Sequence, residues 1–233
     1  MSNDVKKPIS RRHILKWSGA SLAALAVGGA AWQFRPTVPA VFPEFALDVT
    51  QTTKPKLLIV YGSQLGSTAE QAVWMGEAAR ADGYAVQVAK AENAPRADDF
   101  DAIILGSAIR SNAWLDEAVE WAADNRDAFA HKPHALFQAS MTVAHILQDL
   151  PDRQLKPEHL ERLSTSLAGL HKAAPILKSA DIAYLPGCLD YDRLTPVMRI
   201  VFPLASGSLS SGDFRDRQMV GNFATKNLAA FAA

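Results

Sequence analysis

The chain has 233 residues, 48% of them hydrophobic, and its 24 Lys and Arg are balanced by 24 Asp and Glu. That length suits one ordinary domain with a real apolar core. The balance is uneven: the first 40 residues hold six basic side chains and one acid, leaving 18 against 23, a net −5, for the remainder. A mildly acidic body lacks the basic footprint of a nucleic-acid binder, and a lone cysteine, Cys188, excludes an internal disulfide.

Ser10-Arg11-Arg12-His13-Ile14-Leu15-Lys16 follows a polar, lysine-containing start and precedes a mildly apolar stretch, Trp17 to Ala31, rich in Ala and Gly. That stretch has the length of a signal-peptide core and falls short of the ~20 residues of a spanning helix. The seven residues match the twin-arginine export pattern, Ser/Thr-Arg-Arg-x-apolar-Leu-Lys, which marks proteins exported already folded. Residues 1–40 are therefore expected to be a signal peptide or an N-terminal anchor. Val38-Pro39-Ala40 offers a small-residue cleavage site, whereas Trp17 and Trp32, placed like interfacial residues, suit an uncleaved anchor and membrane association. The periplasm is the expected destination, and the twin-arginine translocation machinery an expected partner. Residues 41–55 read as a linker, because Pro36, Pro39 and Pro43 disfavour regular pairing and a polar, Thr-rich stretch runs on to Pro55.

Past Lys56, short apolar runs alternate with helical patterns. They predict strands at 56–61, 85–90, 102–105, 134–138 and 182–186, and helices at 68–81, 115–129, 157–174 and 216–231. Right-handed crossovers make this an α/β domain over 56–233: a doubly wound, five-stranded parallel sheet of order 2-1-3-4-5 with helices on both faces. Pro157 with Glu158 and Glu161 marks a helix start, and Leu160, Leu163, Leu167 and Leu170 are expected to form the face packed on the sheet. The apolar segment 192–211 reads either as a packing helix broken near Pro203 or as a membrane-facing, quinone-access element. Cys188 reads as a buried packing residue or as a redox thiol.

The first strand empties into Gly62-Ser63-Gln64-Leu65-Gly66-Ser67-Thr68. Gly66 allows consecutive N–H groups to converge on one anion, Ser63, Ser67 and Thr68 add hydroxyls, and a helix begins at Thr68 with its positive end facing the loop. The loop is either a cradle for the phosphate of flavin mononucleotide (FMN) or a ligand-free turn between strand and helix. It lacks the lysine of a P-loop. Tyr61 and Leu65 stand where a hydrolase elbow needs glycines, and Gly62 and Gly106 stand where a receiver domain carries its aspartate. Gly106 to Trp114 and Ala139-Ser140-Met141-Thr142 read as two further small-residue loops, able to form lips around a flat ring. The six histidines have no metal-ligand spacing, so no metal is expected.

Ser63-x-x-Gly66-Ser67-Thr68 resembles the phosphate loop of the flavodoxin superfamily, Ser/Thr-x-Thr-Gly-x-Thr, with Leu65 in place of the middle threonine. Gly106-Ser107-Ala108-Ile109-Arg110 is similar to the Gly-Ala-Ser-Ile-Arg segment of the flavodoxin-like, menaquinone-dependent protoporphyrinogen oxidases. Ser206-Gly207 followed by Asp213-Phe214-Arg215 resembles that family's Ser-Gly-Gly and Asp-Thr-Arg stretch. The resemblance runs over roughly Lys56 to Ala230. It departs at Ser111-Asn112-Ala113-Trp114, where the family is aromatic and histidine-rich, and at Gly221-Asn222-Phe223, where it has Thr-Asp-Trp.

The resemblance implies a flavodoxin-like fold holding FMN noncovalently. Ser63, Gln64, Gly66, Ser67 and Thr68 would hold the phosphate. Ser107, Ala108, Arg110 and Trp114 would border the ring on one side, and Ser140 and Thr142 on the other. Trp114 either stacks on the ring or packs as the first helix anchor. Arg110, the candidate catalytic residue, steers an anionic substrate, stabilises charge on reduced flavin, or is simply solvated. The implied activity is that of an FMN-dependent oxidoreductase, quinone-linked and protoporphyrinogen-oxidase-like. Its substrate stays open, because porphyrinogen oxidation in haem synthesis belongs on the cytoplasmic side. A quinone or membrane redox partner would accompany it. Two other classes remain: a periplasmic flavodoxin-type electron carrier, and a non-catalytic binding module on the same fold.

Overall fold

The computed structural model describes residues 42–44, 55–190, 194 and 211–232. Nearly all belong to one compact unit, 40–190 with 209–233, while a second unit, 1–39 with 191–208, contributes only Leu194 to the described residues. The leader, most of the linker, and segment 192–211 apart from Leu194 and Ser211 lie outside the described residues.

In chain order the elements are β1 (Lys56–Gly62), α1 (Ser67–Ala81), β2 (Ala85–Lys90), β3 (Ala102–Arg110), β4 (Ala113–Trp114), α2 (Asp116–Asp124), α3 (Arg126–His131) and β5 (His134–Ser140). There follow α4 (Met141–Asp149), α5 (Pro157–Ser164), α6 (Ala168–Ala173), β6 (Asp181–Pro186), β7 (Cys188–Leu189), β8 (Gly212–Asp213) and α7 (Arg217–Phe231). Five strands run parallel in the order β2-β1-β3-β5-β6. Numbered among themselves, they take the expected 2-1-3-4-5 order. β4 folds back antiparallel on the end of β3, and β7 pairs with β8 in a separate ribbon.

Strand periodicity decides which helices cover which face. Leu57, Ile59 and Tyr61 face Ala69, Ala72, Met75 and Ala79 of α1 and Val220, Phe223, Ala224 and Leu228 of α7. Leu58, Val60, Ile103 and Leu105 point the other way, into a cluster with Ala118, Trp121, Phe129 and Leu170. With both faces covered, β1 is 0% exposed from Leu57 to Tyr61, as the unbroken apolar run of a central parallel strand requires. The Tyr61 hydroxyl still donates to the Pro43 carbonyl at 3.2 Å. Burial, then the nearby Glu44 carboxylate, pushes its pKa well above the ordinary tyrosine value.

The helix expected over 115–129 is two helices. Asn125, 3% exposed, breaks it: its Oδ1 accepts from the Ala97 N–H and its Nδ2 donates to the Trp121 carbonyl, both at 2.8 Å. A side chain that competes for backbone groups diverts the chain from helix. Asn125→Ala strands the buried Ala97 N–H, and urea unfolding is expected to show a loss of about 2 kcal/mol. A loss no larger than that of an exposed substitution would show the bond to be idle.

The helix expected over 157–174 is likewise divided, by a 3₁₀ turn at Thr165–Leu167. Leu167 and Leu170 pack into the sheet-facing cluster, but Leu163 is buried in a separate cluster with Val143 and Leu147 of residues 141–149, and Leu160 is 40% exposed, so the four leucines do not form one sheet-facing stripe. His171 on α6 has its pKa lowered by burial and then by Lys178. The depressed value means that neutral His171 supports folding above about pH 6.5, the ordinary histidine value, and that this support is lost as pH falls toward the folded pKa. The melting temperature of His171→Gln should therefore fall less than that of the parent across the same acid range. Equal slopes would remove His171 from the pH dependence.

Two further differences lie beside the ligand end of the sheet. Segment 106–110 is not a loop but the continuation of β3. It ends in a two-residue hairpin whose central Ser111 and Asn112 have φ of 51° and 57°. Two left-handed residues match the right-handed twist of the flanking strands. Residues 141–149 form an unexpected helix, α4, capped by the Ser140 hydroxyl, which accepts from the Val143 N–H at 3.2 Å. At the opposite edge, the Lys132 ammonium donates to the carbonyls of Ala97, Asp98 and Phe100 at 2.7, 2.7 and 2.6 Å.

Candidate functional site

β1, β3 and β5 are parallel neighbours, so the segments leaving their carboxyl ends share one edge of the sheet. Chain order reverses between β1 and β3, where open α/β sheets bind their ligands.

The loop after β1 has the backbone geometry with which an anion could be held. Gly66 sits at the N-cap of α1 with φ 88° and ψ −16°, a left-handed conformation open to glycine, and no side chain caps the helix. The first N–H groups of α1 therefore face the loop without an intrahelical acceptor. Ser63, 1% exposed, accepts from the Gly66 N–H at 3.1 Å, which braces the loop and leaves the hydroxyl proton for another acceptor. Thr68 is 0% exposed, and its Oγ1 is buried with no hydrogen-bond partner. An orphaned hydroxyl at an uncapped helix start leaves groups that an anion could satisfy. Ser67 is half-buried and Gln64 exposed. The loop brings Ser63, Gly66, Ser67 and Thr68 together.

The residues expected around a ring are placed differently. Ser107, fully buried, spends its hydroxyl on its own surroundings: it accepts from the Leu115 N–H at 3.0 Å and donates to the Ala108 carbonyl at 2.8 Å. Trp114 is 3% exposed, packs in the core against β3, and donates its indole N–H to Gln138 Oε1 at 3.1 Å. Ser166 Oγ also reaches Gln138 Oε1, at 2.7 Å, so the hairpin is anchored from beneath by a buried polar trio. Above it, Ala108 is half-buried and Arg110 exposed, next to the tip where Asn112 donates to Thr165 Oγ1 at 3.1 Å. Across the edge, Ser140 caps α4 and Thr142 is exposed on its first turn.

Sequence reasoning missed Gln71. It is 0% exposed on the same face of α1 as Thr68, three residues on; its Nε2 donates to the Pro186 carbonyl at 2.8 Å, and its Oε1 has no partner. The signal was available as a polar pair at helical spacing in an otherwise small, apolar face. His145 Nε2 on α4 is a third buried, unpartnered polar atom, with its ring 6.4 Å from that of Phe214.

Asp213 and Arg215 also lie at this end. The Arg215 guanidinium, 10% exposed, donates to both Asp213 carboxylate oxygens at 2.7 and 2.6 Å and to Glu70 Oε2 at 2.6 Å, and lies 5.2 Å from the Trp74 ring centre. The bonds to Asp213, and then to Glu70, outweigh burial and raise its pKa above the ordinary arginine value. Among the described residues, no group of three His, Cys, Asp or Glu is arranged to hold a metal ion, and no helix is long and apolar enough to cross a membrane.

Comparison with known proteins bears on both ends of the chain. Residues 8–28 match the signal sequence of the twin-arginine translocation pathway, which marks the chain for export. No curated protein matches the sequence. Among solved structures, oxidised flavodoxin 2 from Bacillus cereus is 19% identical with a TM-score of 0.43, covering 75% of this chain and 98% of its own. A cysteine-to-serine mutant of flavodoxin from Pseudomonas aeruginosa is 12% identical with a TM-score of 0.46, over 76% of this chain and 99% of its own. The rubredoxin:oxygen oxidoreductase of Desulfovibrio gigas is 16% identical with a TM-score of 0.37, over 75% of this chain and 37% of its own. The flavodoxin domain model matches residues 58–206, well over half of the sequence, and the chain belongs to the flavodoxin domain family.

Proposed function

We propose that this protein is an FMN-binding redox protein, exported folded to the periplasm. The carrying observation is the set of unmet hydrogen-bonding groups after β1: an uncapped α1, a left-handed Gly66, and a fully buried Thr68 hydroxyl with no partner. The donor set is neutral, which suits a phosphate that is held rather than transferred. Bound there, FMN supplies the electron-transfer chemistry, and the chain supplies binding, orientation and access. Ser63, Ser67, Thr68 and the first N–H groups of α1 would hold the phosphate. Ala108, Arg110 and Thr142 would lie toward the ring, with Ser107, Trp114 and Ser140 shaping the segments that carry them. Export of a folded chain fits a noncovalent cofactor acquired in the cytoplasm.

The finer reading is a quinone-linked oxidoreductase. It is supported by the sequence likeness of 106–110 and of Asp213 to Arg215 to the menaquinone-dependent oxidases, and by the exposed Arg110 at the ligand edge. The second reading is an electron carrier, which membership of the flavodoxin domain family favours.

The test is the visible absorbance spectrum of protein expressed with its own leader and recovered from the periplasmic and membrane fractions. A flavin spectrum, with FMN released on denaturation, is the expected result. Colourless protein that also ignores added FMN would overturn the redox reading and leave a binding module. Turnover of a reduced donor with a quinone separates the enzyme from the carrier.

A further inference from the structure

We propose that Arg215 is a positioning residue that tunes this site for a phosphate-bearing flavin by masking the charge of Glu70. The inference rests on the FMN reading above. Glu70 occupies the first turn of α1, two residues after Thr68, and its backbone N–H donates to the Gly66 carbonyl at 3.1 Å. A carboxylate there suits the helix dipole of an empty site. It opposes a phosphate dianion arriving at the same helix start, because two like charges compete for one positive end.

Arg215 answers that conflict from outside the helix. Its Nη1 reaches Glu70 Oε2 at 2.6 Å, while Nε and Nη2 form a two-pronged grip on Asp213. Asp213 belongs to β8, whose pairing with Cys188 and Leu189 of β7 ties residues 212–213 to the segment after β6, and the Phe214 N–H adds a bond to the Gly187 carbonyl at 3.2 Å. The guanidinium is held against Trp74 and is 10% exposed, so solvent screens its bond to Glu70 less than it would a surface pair. The Asp213 and Arg215 segment singled out in the sequence thus reaches the phosphate helix through Glu70.

The test measures binding of FMN and of riboflavin, which lacks the phosphate, to flavin-free protein of four kinds. Arg215→Met makes the neighbourhood of α1 one unit more negative, Glu70→Gln one unit less, and the double variant restores the parent value. FMN affinity should follow that charge: tightest for Glu70→Gln, alike for the parent and the double variant, and about fivefold weaker than the parent for Arg215→Met at low salt. Added salt should narrow the spread. Riboflavin affinity should stay level across the series. Should the variants that carry Arg215→Met fail to fold, Glu70→Gln alone still decides: it must tighten FMN and leave riboflavin unchanged, and unchanged FMN affinity overturns the proposal. If both flavins weaken together, or if the double variant does not recover FMN binding, Arg215 is merely structural and the proposal fails. Parent protein that binds neither flavin overturns the FMN reading instead.

Discussion

Gly106→Ala is expected to lower stability by about 3 kcal/mol, the upper range for overpacking a core. A Cβ at that position would lie 2.1 Å from Cε1 and 2.2 Å from Cζ of Phe137. Gly106 and Phe137 are registered partners on β3 and β5, and Phe137 is 0% exposed, so its ring has no free space to enter. Glycine inside a strand is normally a weakness; here it is the condition for an aromatic ring to cross the neighbouring strand. The double variant Gly106→Ala with Phe137→Leu should lose less than the two single losses combined, since removing the ring removes the clash. Urea unfolding of the single and double variants measures this, and strict additivity would refute the steric account. Because Ser107 to Arg110 continue the same strand, displacement at Gly106 should also disturb the hairpin at the ligand edge.

That glycine shows where sequence reasoning stopped. Read locally, Gly106-Ser107-Ala108 is a run of small residues after an apolar strand, hence a loop. The reason for the glycine is a ring on another strand, and no local pattern contains it. The same holds for Asn125, whose partner Ala97 is far off in sequence, and for Trp114, whose inward turn depends on Gln138. What was legible is what repeats locally. The apolar runs of the five parallel strands located them, and the alternation of strand with helix yielded their order. In the site, Gly66 and its flanking hydroxyls were readable because backbone geometry and helix start are written in adjacent residues. Ser140 shows a related limit. A serine after a strand can serve as a ligand donor, a helix cap or both, and the helix that Ser140 caps at the Val143 N–H was not read from the sequence. Arg215 was visible as part of a motif, but its action on Glu70 spans the chain and needed the fold.

Thr68→Val is expected to move two properties in opposite directions. Valine keeps the shape of threonine and removes a hydroxyl that is buried and unpartnered. Burying such a group costs roughly 1–3 kcal/mol, so the flavin-free variant should be more stable than its parent by about 1 kcal/mol. The same hydroxyl would donate to the phosphate, and losing one such bond should weaken FMN about tenfold. Riboflavin should bind both proteins alike, because it presents nothing to that hydroxyl. A residue kept only for packing would show neither the gain in the empty protein nor the selective loss with FMN. Proteins commonly give up stability where a site must stay open for its ligand. Unfolding curves of the empty proteins, together with fluorescence titrations by the two flavins, make the comparison. If Thr68→Val destabilises the empty protein and leaves FMN affinity unchanged, the hydroxyl has some other partner and the phosphate site is misplaced.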